Sequence, residues 1–182
     1  MVSRSCIKLI ELYFEKIDGI EVVKVFFGEV ILRFDLDVIT DEMMDEHFAE
    51  MGFGIVNDPD TVIVEKIKIA SIELIHFANN SNSLIRNSDY ISERVQLPYE
   101  KISKVFSKVT GHTLEKYIIL LKIEKSKEMM LNAEVTLSEI AYTLGYSSVQ
   151  YLSNQFKKVT GYTVSQFKDL EKPERIPLEH II

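Results

Sequence analysis

The run FSKVTGHT at residues 106–113 returns as FKKVTGYT at residues 156–163, an offset of 50 residues with six of the eight positions identical. A duplication of this kind requires two copies of one structural unit. Each copy is preceded by a similar pair of helix-like segments, ISERVQL then YEKISKVF in the first and LSEIAYTL then VQYLSNQF in the second. Between the copies lies YIILLKIEKSKEMML, part of a helix predicted from about Thr113 to Leu131. At 1.5 Å per residue such a helix spans about 28 Å, comparable with the roughly 34 Å between successive major grooves on one face of B-DNA.

The second copy is the better formed. Thr136 followed by Glu139 is a capping box, in which the two side chains satisfy each other's orphan backbone donors. Ile140, Ala141 and Leu144 then share one helical face, and Gly145 can take the left-handed conformation that ends a helix. Ser147 and Gln150 read as a second capping box. The helix it opens should bury Leu152, Phe156 and Val159 while turning Gln150, Ser153, Asn154 and Lys157 outward. That outer face is short, polar and basic, as a helix entering a DNA groove must be. In the first copy Pro98 suits the first turn of its helix, where its missing N–H is not needed.

A net charge of −7 argues at first against a nucleic-acid partner. The charge is unevenly placed. Residues 1–65 hold 5 Lys and Arg against 15 Asp and Glu, a balance of −10, and residues 66–182 hold 16 against 13, a balance of +3. This shift, together with the turn chemistry of Pro59 within NDPD, places a domain boundary near residue 60. With 46% hydrophobic residues the composition is that of a folded chain. The single cysteine, Cys6, excludes an internal disulfide. The N-terminus lacks the uninterrupted apolar core of a signal peptide, and no run approaches the roughly 20 apolar residues needed to span a bilayer.

Residues 4–18 have helical spacing, with Ile7, Ile10, Leu12, Phe14 and Ile17 as burial candidates. EVVKVFF and VILRF, separated by Gly28 and Glu29, predict a β-hairpin. Thr40 to Met51 predicts a helix with acidic residues at its start, and FGIV after Gly52 a short strand. From Asp60 to about Asn79 a long helix is predicted, with Ile63, Ile67, Ala70, Leu74 and Phe77 as its inward stripe. The run NNSNSLIRNS reads as a loop leading to a helix near Ser88. The tyrosines, among them Tyr117, Tyr142, Tyr146, Tyr151 and Tyr162, read mainly as core aromatics with a wet hydroxyl. The tail KPERIPLEHII reads as extended, its terminal Ile181 and Ile182 either docking on a partner surface or remaining unfixed.

The IAYTLGYSS segment, the FKKVTGYT run and Phe167 closing it together resemble the DNA-binding domain of the AraC/XylS regulators, over about residues 62–170. The resemblance implies two helix-turn-helix units joined by a long helix. It places base-reading positions on Glu100, Ser103 and Lys104 in the first unit and on Gln150, Ser153 and Asn154 in the second. Asn154 stands where the family often has arginine, which favours adenine over guanine there, and Val164 stands where it usually has proline. Lys104, Lys108, Lys157 and Lys158, with Ser148, are expected on phosphates, where they supply a salt-dependent and sequence-blind attraction.

The order helix, hairpin, helix and short strand in residues 1–58 resembles the later part of a ferredoxin-like heavy-metal-associated domain. That family binds metal through a Cys-x-x-Cys loop, and here Ser3 occupies the first ligand position and Cys6 the second. A lone thiolate leaves a soft metal short of ligands, and His47, His76, His112 and His180 share no ligand spacing with it or each other. No metal site, cofactor or catalytic constellation is expected, and the chain is not expected to be an enzyme.

The sequence therefore predicts an α+β chain. Residues 1–58 form an acidic ferredoxin-like fragment, 60–170 an all-α double helix-turn-helix domain, and 171–182 an extended tail. The expected function is a sequence-specific, double-stranded-DNA-binding transcription regulator reading the major groove with two recognition helices. The alternative is a metal- or small-molecule-responsive sensor whose N-terminal domain controls DNA binding. Expected partners are DNA, a second copy through the N-terminal domain or the 60–79 helix, and RNA polymerase. No membrane is expected, and the location is the bacterial cytoplasm, at the nucleoid when bound.

Overall fold

A computed structural model of the chain describes residues 3–77, 87–131 and 135–182. The fold is α+β: a two-stranded antiparallel sheet and its helices come first, and a run of helices follows. The chain divides into two compact units, Met1–Ile69 and Ala70–Ile182.

The first unit opens with helix α1, Arg4–Phe14, capped by Ser3, whose hydroxyl accepts from the Cys6 N–H. Strands β1, Ile20–Phe26, and β2, Glu29–Phe34, form the hairpin read from the sequence. Their register pairs Ile20 with Phe34, Val22 with Leu32, Val25 with Val30 and Phe26 with Glu29, with an irregularity between Val22 and Lys24. Gly28 takes a positive φ at the tip, where other residues are strained, and a Cβ there would push Ile69 Cδ1 aside. Helix α2, Asp41–Glu50, is capped by Thr40 and carries Asp41 and Glu42 in its first turn, where the helix dipole favours them.

Ile10, Phe14, Ile39, Met44 and Phe48 make the core of this unit, with Val22, Val25, Val30, Leu32 and Phe34 packed against it from one hairpin face. Tyr13 donates to Glu50 Oε2 at 2.5 Å and lies 2.9 Å from His47 Nδ1, tying α1 to α2. Two expectations fail here. Residues 53–56 form no strand, so of the expected ferredoxin-like sheet the described residues hold only the hairpin, and Leu12 is 44% exposed because the buried stripe of α1 runs through Ile10 and Phe14. Cys6 is partly buried, its sulfur 3.2 Å from Ser3 Oγ. Among the described residues no group of three or more His, Cys, Asp or Glu is arranged to hold a metal.

The predicted long helix is helix α3, Pro59–Ile72, which continues as a π-helical turn, Glu73–Phe77. The wider turn changes the angular register of the side chains that follow. Leu74 and Ile75 are buried and Phe77 is 50% exposed, contrary to its place on the predicted stripe. The last two residues of the predicted helix, 78–79, and most of the predicted loop lie outside the described residues.

The second unit contains helices α4 (Asn87–Val95), α5 (Tyr99–Thr110), α6 (Leu114–Met130), α7 (Leu137–Thr143), α8 (Val149–Thr160) and α9 (Val164–Lys168). The connecting helix α6 packs against the π-helical turn and against α5, α7 and α8. Its buried residues lie on several sides, among them Leu114, Tyr117, Leu121, Ile123, Ser126 and Met130. A helix covered on several sides must be apolar or internally paired there, and α6 is both. Glu124 and Lys127, with side chains 4% and 8% exposed, form an ion pair of 2.5 Å.

The tail does not stay unfixed. The Ile176 N–H donates to Glu124 Oε2 at 3.0 Å and Arg175 donates to Glu128 Oε2 at 3.0 Å. A short 3-10 turn, Leu178–His180, follows, and Ile176 and Ile181 help line a cleft of about 380 Å³ with Leu120 and Phe167. Among the described residues no helix is long and apolar enough to cross a membrane.

Candidate nucleic-acid interface

The repeated octapeptide is explained atom by atom. Phe106 and Phe156 are fully buried, and each faces one aromatic ring further on: Phe106 with Tyr117 at 5.4 Å and Phe156 with Phe167 at 5.3 Å between centroids. Burying each phenylalanine contributes roughly 1.5–3 kcal/mol. Thr110 Oγ1 donates to the Phe106 carbonyl at 2.7 Å and accepts from the His112 N–H at 3.2 Å. Thr160 repeats the arrangement with the Phe156 carbonyl at 2.8 Å and the Tyr162 N–H at 3.2 Å. Gly111 and Gly161 then take the left-handed conformation, and Thr113 and Thr163 cap the next helix. Every identical position in the repeat, apart from the lysine and valine, closes one helix or opens the next.

The two helix pairs differ at their turns. In the first pair Gln96 occupies the left-handed region at φ 58, two residues before the cap at Pro98. In the second pair Gly145 occupies it at φ 67, three residues before the cap at Ser148. The Thr136–Glu139 capping box is present in full. The second expected box is not: the cap is Ser148, whose Oγ accepts from the Tyr151 N–H at 3.1 Å, and Ser147 lies outside the helix. Pro98 is likewise the cap of α5 and not part of its first turn.

On α8 Leu152 and Phe156 are buried, Gln150, Asn154, Lys157 and Lys158 are exposed, and Ser153 is partly exposed. Val159, expected inside, is 39% exposed, since the inward stripe ends at Phe156 before the closing glycine. Gln150 Nε2 donates to Asn154 Oδ1 at 3.0 Å. On α5 Glu100 and Lys104 are exposed and Ser103 partly so, one face of the helix, with Lys108 exposed a turn further on. Ser148 keeps its own O–H free to donate outward while its oxygen caps α8.

Several residues of this surface escaped the sequence reading. Tyr142, Tyr151 and Tyr162 are 69%, 54% and 46% exposed, whereas Tyr117 is buried as expected. Tyr151 follows Gln150 and stands three residues before Asn154, so i, i+3 spacing from Asn154 was the signal for its placement. Beneath it, Tyr146 packs on Tyr151 at 5.9 Å with Lys122 Nζ 5.4 Å from its ring centroid. Burial pushes the Tyr146 phenol up to about 12, and burial also lowers Lys122. Tyr99 at the start of α5 donates to Glu115 Oε1 at 2.9 Å, and burial with that bond raises it to about 12.

A protein-family profile described as "Helix-turn-helix domain" matches residues 91–169. The "Xylose operon regulatory protein" of Escherichia coli (strain K12) is 26% identical over 101 residues, 56% of this chain and 26% of that protein. An "Uncharacterized HTH-type transcriptional regulator in cgkA 5'region" of Pseudoalteromonas carrageenovora is 34% identical over 95 residues, 52% of this chain and 55% of that protein. The "HTH-type transcriptional activator RhaS" of Escherichia coli O139:H28 is 25% identical over 83 residues, 46% of this chain and 28% of that protein. The chain thus spans between about a quarter and about half of these relatives' lengths. No solved structure matches it. With its helix pair built twice around the same phenylalanine, threonine and glycine, the segment from Ile91 to Asp169 is a helix-turn-helix domain of the AraC/XylS type.

Proposed function

We propose that the chain is a sequence-specific, DNA-binding transcription regulator that sets α5 and α8 into the major groove. The observation that carries this reading is the outer face of α8, where exposed Gln150 and Asn154 sit one turn ahead of exposed Lys157 and Lys158 on a helix whose opposite face is sealed in the core. Gln150, Ser153 and Asn154 read base edges, and Glu100, Ser103 and Lys104 do so from α5. Lys108, Lys157 and Lys158 neutralise phosphates, and Ser148 donates to one at the start of α8, where the helix dipole favours an anion. Glu100 contributes by accepting from cytosine N4 and by rejecting other sites. The α6 rod, 17 residues and so about 26 Å long, suits readers in neighbouring grooves.

Residues 1–65, with their balance of −10, repel phosphate and take a protein-docking role in this scheme. RNA polymerase is a fitting contact for a regulator bound beside a promoter, and the cytoplasm its place of action. The test is an unbiased selection of DNA sites with the purified chain, followed by gel-shift titration of the selected site at two salt concentrations. A selected sequence bound in preference to unrelated DNA at both salts is the expected result. Binding without sequence preference overturns the reading.

A further inference from the structure

Strand β2 carries a self-complementary sequence on an open edge. Among the described residues β2 pairs with β1 alone, so its far edge presents backbone donors and acceptors with no ladder partner. Along it Glu29, Ile31 and Arg33 point to the face away from the core, while Val30, Leu32 and Phe34 pack toward it. Ile31 is 42% exposed, and Val23 and Phe26 on the same outer face of β1 are 46% and 41% exposed.

We infer that a second copy of this chain docks on that edge, β2 against β2, in an antiparallel pairing centred on Ile31. The inference names the partner of the protein-docking role given above to the acidic segment, and it does not depend on DNA binding. In this register Glu29 of each copy stands opposite Arg33 of the other, Val30 opposite Leu32, and Ile31 opposite Ile31 across the two-fold axis. Opposite charges directly across an antiparallel pair stabilise it and like charges destabilise it. One operation therefore forms two ion pairs and three apolar pairs, as an isologous interface demands. The two hairpins become one four-stranded sheet with Ile31 of both copies at its centre, flanked in each hairpin by Lys24, which pairs with Ile31 and stacks its ammonium on Phe26.

The competing edge is less fit. β1 is broken by the irregularity between Val22 and Lys24, which bends a strand and interrupts its ladder. Centring a second β1 on Val23 would set Glu21 against Val25 and Val22 against Lys24, with no matched charges. Arg33 already donates to Glu21 of its own hairpin at 2.6 Å. A guanidinium has five N–H donors, so it can hold Glu21 on one side and Glu29 of the other copy on the opposite side. The general repulsion between two acidic units is screened beyond a Debye length of about 8 Å at physiological ionic strength, whereas the cross-strand pairs lie well inside it.

The test is sedimentation equilibrium of the full chain without DNA, at physiological salt, for the wild type, Glu29→Arg, Arg33→Glu and an equimolar mixture of the two variants. The wild type should be a dimer at micromolar concentration. Each single variant sets like charges opposite one another twice and should weaken self-association by about tenfold or more. The mixture should dimerise again, because one variant supplies arginine and the other glutamate at both positions. Both substitutions fall on exposed side chains, and the mixture shows that each variant remains competent to pair. A monomeric wild type, single variants that associate as the wild type does, or a mixture that stays monomeric would each overturn the inference. None of these outcomes bears on DNA binding, which the site selection tests separately.

Discussion

Gln150 Nε2 donates a 3.0 Å hydrogen bond to Asn154 Oδ1, so the two amides on the outer face of α8 form one hydrogen-bonding unit. The bond uses neither the Gln150 carbonyl oxygen nor the Asn154 amino group. Together they offer an acceptor and a donor, the pattern complementary to the N6 and N7 edge of adenine.

Because the amides are joined, their substitutions should not add. Gln150→Ala and Asn154→Ala should each lose about 1–3 kcal/mol of discrimination at the selected site. The double variant should lose clearly less than the sum, since either single change already breaks the unit. Titration of the four proteins against the selected site and against a one-base variant measures the coupling, and strict additivity would show that the two side chains read independently.

The threonine hydroxyls of the repeat should contribute to stability equally. Thr110→Val and Thr160→Val keep shape and remove a hydroxyl that both donates and accepts. Each should cost about 1 kcal/mol, read from denaturant midpoints at unchanged slope. A large difference between the two would mean that the copies, although alike in geometry, carry unequal shares of the fold.

His76 makes the second unit sensitive to acid. Its side chain is 3% exposed, its Nε2–H donates to the Leu121 carbonyl at 3.2 Å, and burial with the nearby Lys125 charge lowers it to about 4. The unfolded chain binds this proton near pH 6.5 and the folded chain only near pH 4. The neutral ring's stabilisation is therefore complete above about pH 6.5 and falls away as the pH drops toward 4, by at most roughly 3 kcal/mol. His76→Gln retains an amide N–H for Leu121 and cannot titrate. Thermal unfolding of this variant should vary less between pH 7 and pH 4.5 than that of the wild type.

The buried pair on α6 should be costly to break and cheap to remove. Lys127→Met leaves the Glu124 carboxylate buried with only the Ile176 N–H as partner, at a cost of about 3–5 kcal/mol. Glu124→Leu combined with Lys127→Met removes both charges and should recover most of that loss. Urea titration of the three proteins measures it, and a double variant as unstable as the single would assign the loss to the Lys127 contact with Phe167, whose ring centroid lies 5.9 Å from Lys127 Nζ.

Much of the second unit was legible because its capping threonines and helix-ending glycines each perform a local backbone task. Thr113, Thr136 and Thr163 cap helices and Gly111, Gly145 and Gly161 end them, tasks that depend on near neighbours in sequence. Errors arose where distant geometry decides. Ser147 and Ser148 are equivalent caps on paper, and a one-residue shift in where the turn ends selected the second. Residues 53–56 had strand composition but pair with neither strand of the hairpin. The π-helical turn at Glu73–Phe77 could not be read from periodicity, so the burial of His76 and the exposure of Phe77 followed from a register change invisible in the pattern. The exposed Tyr142, Tyr151 and Tyr162 share their residue type with buried Tyr117, and type alone does not separate them. The candidate base readers were legible as an exposed face, whereas their mutual hydrogen bond was not.

The rod that joins the copies is also the closing helix of the first one, since Tyr117 on α6 does for Phe106 what Phe167 on α9 does for Phe156. It therefore behaves as a shaft keyed at both ends. Each residue of α-helix turns about the axis by about 100°, so one residue inserted between Tyr117 and the buried Met130 would rotate the second helix pair about that axis relative to the first while moving it only about 1.5 Å. A change in the number of residues in α6 would thus alter the angle between the two helix pairs far more than the distance between them.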